Sequence, residues 1–239
     1  MVSKVVLTYP KDPSEDFIAV AIHTVVKKIA IARPGDKTWT TIQNIPCVMD
    51  VIYFKQQLYG ICANSKLYIL DIKSNPPKAS EVRLSYSFGV GCAFGGVNRY
   101  LVEWSGELLQ VLQVLQDESP NEEGGIKKFY TNEFYVFKLD FAYNIWRLVK
   151  SLGQHALFLG FNTSVSVLAS AETIFKRNCI YFVEDHRMQY YRTNVNIEIS
   201  FDIGVFNLED RKVRPLFSTN TTSASPFSPP VWIISKLNS

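Results

Sequence analysis

The chain is poor in the residues and patterns that most often announce chemistry. Its 239 residues include three histidines and four cysteines. Cys47, Cys62, Cys92 and Cys179 form no CxxC pair, and no histidine follows any of them at zinc spacing. A zinc ribbon, a dithiol redox centre and a secreted disulfide scaffold are therefore not expected, and buried free thiols in a reducing compartment are. Charge of one sign is also scarce: 25 basic residues face 22 acidic ones, a formal +3. The basic residues are scattered as Lys27-Lys28, Lys127-Lys128 and Arg211-Lys212, without the dense stripe that tracks a phosphate backbone, so no nucleic-acid partner is expected. No apolar run reaches the roughly 20 residues needed to span a bilayer. The opening Met1-Val2-Ser3-Lys4 turns polar too soon for a signal peptide. No membrane partner is expected, and the expected location is cytoplasmic or nuclear.

Aromatic and β-branched residues are plentiful. Sixteen Phe, twelve Tyr and four Trp favour strands, where bulky rings pack on a pleated surface. Short apolar runs recur between turn formers, the spacing of a sandwich, barrel or propeller. Runs 17–22, 28–32 and 39–42 form a first group, and 50–54, 57–62, 66–72 and 81–84 a second. Runs 99–104, 107–114, 134–139 and 144–149 form a third, and 155–159, 179–183, 204–208 and 212–216 a fourth. Four short strands per group suit a propeller blade. The third strands repeat loosely as Leu67-Tyr68-Ile69-Leu70-Asp71, Tyr135-Val136-Phe137-Lys138-Leu139-Asp140 and Gly204-Val205-Phe206-Asn207-Leu208-Glu209, each with an acid at the following turn.

Leu108, Leu109, Val111, Leu112, Val114 and Leu115 also fit an amphipathic helix with glutamines on its other side. The hairpin-like Trp104-Ser105-Gly106-Glu107 before them favours a strand. The fold expected is all-β: a single β-propeller domain over 1–239 built of four-stranded antiparallel blades, with a flexible loop at 117–128, a Ser/Pro-rich segment at 218–230 and a late strand at 231–234. Four groups leave two alternatives open. The ring is incomplete in this chain, or a small four- to five-blade ring is closed by the tail strand.

Histidine bases for a hydrolase are limited to His23, His155 and His186, none in a nucleophile-elbow motif. Paired carboxylates of a propeller glycosidase would have to come from Asp50, Asp71, Glu103, Asp140, Asp185 or Asp202. The equivalent places of Asp71 and Asp140 favour turn capping instead. Phe88-Gly89-Val90-Gly91-Cys92 lacks the further glycine and the Lys-Ser/Thr ending of a phosphate cradle. Trp39 and Trp146, which open outer strands, are expected to pack between blades. No catalytic residue, cofactor or metal ligand is assigned. The stretch Arg187-Met188-Gln189-Tyr190-Tyr191-Arg192 offers the candidate protein-binding residues Arg187, Tyr190, Tyr191 and Arg192, because Tyr and Arg are common interface anchors.

Gly35-Asp36-Lys37-Thr38-Trp39, Asp50-Val51-Ile52-Tyr53-Phe54, Leu58-Tyr59-Gly60, Tyr100-Leu101-Val102-Glu103, Arg177-Asn178-Cys179-Ile180-Tyr181-Phe182, Asp202 to Asp210 and Pro229-Pro230-Val231-Trp232-Ile233 stand in an order that resembles the β-propeller domain of plant KIB-type F-box proteins. The resemblance implies the substrate-recognition half of an SCF-type ubiquitin ligase receptor, a protein-interaction module with a protein target and no enzyme activity of its own. It also implies a Skp-like adaptor, reached only if an F-box is supplied elsewhere, because the residues before Phe17 leave no room for one. The alternatives are a propeller hydrolase and a degenerate, truncated paralogue without a ligase role.

Overall fold

Most runs hold five to eight residues cut by Gly, Asn, Asp or Pro, which gives strands no longer than about 25 Å. They bury themselves by stacking short sheets face to face. The computed structural model describes residues 2–8, 16–23, 26–85, 96–117, 129–160, 162–171, 173–185, 201–216 and 232. Among them are seventeen strands and no helix.

The first sheet holds β1 (Val2–Leu7), β2 (Ala19–His23), β3 (Lys28–Ala32) and β4 (Thr40–Thr41), and the second β5 (Val48–Phe54), β6 (Gln57–Cys62), β7 (Leu67–Asp71) and β8 (Lys78–Glu81). The third holds β9 (Val97–Trp104), β10 (Glu107–Asp117), β11 (Phe129–Asp140) and β12 (Ile145–Val149). All three are antiparallel meanders, as the sequence grouping implies. The fourth sheet departs from that pattern. It contains β13 (His155–Leu159), β14 (Ser164–Leu168), β15 (Cys179–Asp185), β16 (Phe201–Asn207) and β17 (Lys212–Pro215) in the order β14-β13-β15-β16-β17, and β13 pairs with β15 in parallel. A parallel pair needs a crossover connection, and β14 serves within it, turning back to lie beside β9. Neighbouring contacts run β1 to β5, β5 to β9 and β9 to β14, so these are the inner strands of a four-bladed β-propeller.

Each sheet is sandwiched, so its strands carry apolar residues on both faces. In β6, Leu58 and Cys62 face the first sheet's Ile29 and Ile31, and Tyr59 and Ile61 face the third sheet's Leu101 and Leu108. In β10, Leu108 and Leu112 enter the core shared with the second sheet, and Leu109 and Val111 the core shared with the fourth. This double burial gives the stretch its helix-like apolar content although it is a strand. A turn at Ser105 and Gly106, both at positive φ, closes the β9–β10 hairpin.

Several expectations need correction. The opening segment, which lay outside the strand groups read from the sequence, is a strand: Val2–Leu7 is the inner strand β1. Its inward position is occupied by Lys4 rather than by an aliphatic residue, which hid the alternation. Strand β14 was also missed, although Ser164-Val165-Ser166-Val167 alternates plainly. Trp146 is 5% exposed in the core between the second and third sheets, but Trp39 is 49% exposed. The two-residue β4 begins only at Thr40 and leaves Trp39 just before the strand, beyond the sheet. The repeated turn acid is Asp71 and Asp140 but not Glu209: in the fourth sheet the equivalent acceptor is Asn207, whose Oδ1 takes the Glu209 N–H at 2.7 Å. Residues 118–128, 218–230 and all of 231–234 except Trp232 lie outside the described residues.

Candidate functional site

Five of the six carboxylates on which a hydrolase could draw are engaged in structure. Asp50, 2% exposed at the start of β5, accepts from Lys4 Nζ at 2.5 Å and from the Val51 and Leu101 N–H groups at 2.8 Å each. The cavity beside it measures about 10 Å³, room for about one water, and Lys27, Asn98, Arg99 and Tyr100 line it with no second carboxylate among the described residues. Asp202 accepts from the Thr131 N–H of the neighbouring sheet. Glu103 accepts from Gly106 N–H at 2.8 Å in an exposed hairpin. Asp71 and Asp140 each take two N–H groups of their own turns, as expected of capping acids.

Ser105 Oγ lies 3.3 Å from His155 Nε2, and Trp104 stands edge-on to that imidazole. Among the described residues no carboxylate accepts from the other ring nitrogen, so the third member of a triad is not in place. No group of three or more His, Cys, Asp or Glu side chains among the described residues can hold a metal ion. His186, Arg187, Tyr190, Tyr191 and Arg192 lie outside the described residues, in the connection between β15 and β16.

Three other connections meet beside His155. Residues 150–154 enter the fourth sheet, 176–178 lead into β15, and 207–209 leave β16; between them lies an open cleft of about 730 Å³. Asn178 joins the three. Its Oδ1 accepts the Leu152 N–H at 2.9 Å, its own N–H donates to His155 O at 2.7 Å, and its carbonyl accepts the Leu208 N–H at 3.1 Å. This geometry requires φ +57° at residue 178, which asparagine tolerates better than most side chains.

Around this base stand Lys150, Lys176 and Arg177, all exposed, against one lining carboxylate among the described residues, Glu209. Arg177 Nη1 donates to Gln154 Oε1 at 3.2 Å. Sequence reasoning missed the cleft because Lys150 stands on a different connection, distant in the chain from the adjacent pair Lys176 and Arg177. The available signal was Asn178, a turn former placed directly before an apolar strand.

Short sheets sandwiched radially, inner strands side by side and loop-built clefts at their ends define a β-propeller, a fold that leaves its connecting loops at the surface. The chain belongs to the KIB1-4 beta-propeller family, whose model matches residues 1–207. It is similar to the F-box protein SKIP23 of Arabidopsis thaliana, 26% identical over 243 aligned positions that cover 94% of this chain and 55% of that protein. The F-box protein KIB4 of the same plant is 29% identical over 89 positions, 37% of this chain and 22% of that protein. The chain spans about half the length of most of the curated relatives that it matches.

Proposed function

We propose that this chain is a non-catalytic protein-binding propeller that recognises a target protein for an SCF-type ubiquitin ligase. The observation that carries this reading is membership of the KIB1-4 family together with relatives named as F-box proteins. The structure supports it with a loop-built cleft that is open, polar and held by backbone hydrogen bonds. A Skp-like adaptor would be reached through an F-box joined to the propeller. The buried Cys62 and Cys179 are free thiols, which suits the cytoplasm or nucleus.

The test is a tagged pull-down from plant extract with mass spectrometry, using this chain beside a version extended by an F-box. The expected result is a shared target protein with both versions and a Skp-like adaptor only with the extended one. Recovery of no protein by either version would overturn the receptor reading and make a hydrolase screen the next step.

A further inference from the structure

Resting on the receptor reading, we infer that the cleft between 150–154, 176–178 and 207–209 docks an acidic, extended segment of the partner protein, with Lys150, Lys176 and Arg177 as its anchors. The first support is electrostatic. Three neighbouring arginines are matched: Arg147 pairs with Asp140 at 2.7 Å, Arg211 with Glu133, and Arg214 with Asp210. The three at the cleft are not. Lys150 and Lys176 make no ion pair among the described residues, and Arg177 meets only the neutral Gln154 amide. Three cations against Glu209 leave an excess positive field in a concave site, which raises the local concentration of a negatively charged partner.

The second support is preorganisation. Asn178 fixes all three connections to one another, so the cations project from a base that need not be ordered on binding. The third is shape and chemistry. An open trough of about 730 Å³ accommodates a few residues of extended chain rather than enclosing a small molecule. The Ser151 hydroxyl, which accepts the Gly153 N–H, retains its own proton to donate, and the Asn207 amide retains two. Asp and Glu side chains spaced along a peptide can avoid Glu209. A nucleic acid, with a charge on every nucleotide, is set against it.

The experiment measures fluorescence polarisation of a labelled Asp/Glu-rich peptide with the full chain, beside the Asn/Gln peptide of the same length and a single-stranded oligonucleotide of equal charge. The acidic peptide should bind in preference to both, and added salt should weaken it. Lys150→Glu, Lys176→Glu and Arg177→Glu together should weaken it by roughly tenfold or more. Lys37→Glu with Lys78→Glu, exposed elsewhere, should change it by less than about twofold, since a Debye length of about 8 Å screens distant charges. All variants should melt as the parent does, because every substituted side chain is exposed.

Equal losses in both sets, tighter binding of the oligonucleotide, or no binding of the acidic peptide would overturn the inference. A pull-down with the triple variant separates it from the receptor reading. If the chain recovers its target and the triple variant recovers it equally, the cleft is not the docking surface and the receptor reading stands. If the peptide needs the three cations but no target is recovered, the receptor reading fails and the cleft's preference for acidic chains stands.

Discussion

Asp50 accepts hydrogen bonds from groups on three strands of three blades: Lys4 in β1, Val51 in β5 and Leu101 in β9. A buried carboxylate is tolerated only when such partners replace its water, and removing it strands an equally buried ammonium. Asp50→Ala is expected to cost about 3–5 kcal/mol, measured by urea unfolding; a loss below about 1 kcal/mol, the worth of an exposed pair, would show that the brace is solvated in solution. Cys62 is a second residue whose behaviour follows from its place. Burial, followed by the nearby Cys47 and Glu81, pushes its thiol up to about 12, so it holds almost no thiolate at neutral pH. Iodoacetamide on the folded protein should leave Cys62 unmodified, read by peptide mass spectrometry, and should label it once the chain is unfolded in urea. Labelling of the folded protein at the unfolded rate would contradict the burial.

At the scale of single strands and turns, two glycines make opposite demands. A Cβ on Gly204 in β16 would sit 2.7 Å from Phe182 Cζ and 2.9 Å from the Arg214 carbonyl oxygen, closer than packed atoms allow. A Cβ on Gly60 in β6 would meet the Leu70 and Val48 methyls at an ordinary 3.6 Å. Gly204→Ala should therefore lose about 1–3 kcal/mol by overpacking and Gly60→Ala clearly less, both read from chemical denaturation; the reverse order would refute the packing of Phe182. The turns predict an acid dependence. The Arg147 guanidinium bonded to Asp140, and the Arg214 guanidinium bonded to Asp210, hold those carboxyls below the ordinary 3.8. A folded-state value below the unfolded one gives stability that is complete above pH 3.8 and is lost as the pH falls through the folded-state value. Asp140→Asn with Asp210→Asn should flatten the acid side of a plot of melting temperature against pH; an unchanged slope would assign that limb to other groups. The repeat of turn acids was legible because Asp71 and Asp140 precede polar turns, but Asn207 was passed over for Glu209. An amide oxygen caps as well as a carboxylate, and spacing alone does not reveal which side chain accepts.

Across the whole molecule, one series of polar groups links all four blades. Lys4 bonds Asp50 and Asp50 takes the Leu101 N–H; the adjacent Tyr100 hydroxyl donates to Gln113 Oε1 at 2.8 Å, Gln113 Nε2 donates to Thr131 Oγ1 at 2.6 Å, and Thr131 N–H reaches Asp202. Gln113→Leu removes the bond that each of these hydroxyls makes to Gln113. A double-mutant cycle with Asp50→Ala should give a coupling of about 0.5 kcal/mol or more; strictly additive losses would mean that the blades are braced independently. Most of the all-β class and the grouping into blades was legible in the sequence, because alternation and turn chemistry act over a few residues. The family resemblance was legible in the ordered motifs. Tertiary structure alone decided that β1 and β14 take inner places, that β13 and β15 run parallel, and that Lys150, Lys176 and Arg177 share one cleft around Asn178. Those outcomes depend on which sheet edges and loops meet in space, over separations at which a linear pattern of side chains carries no register.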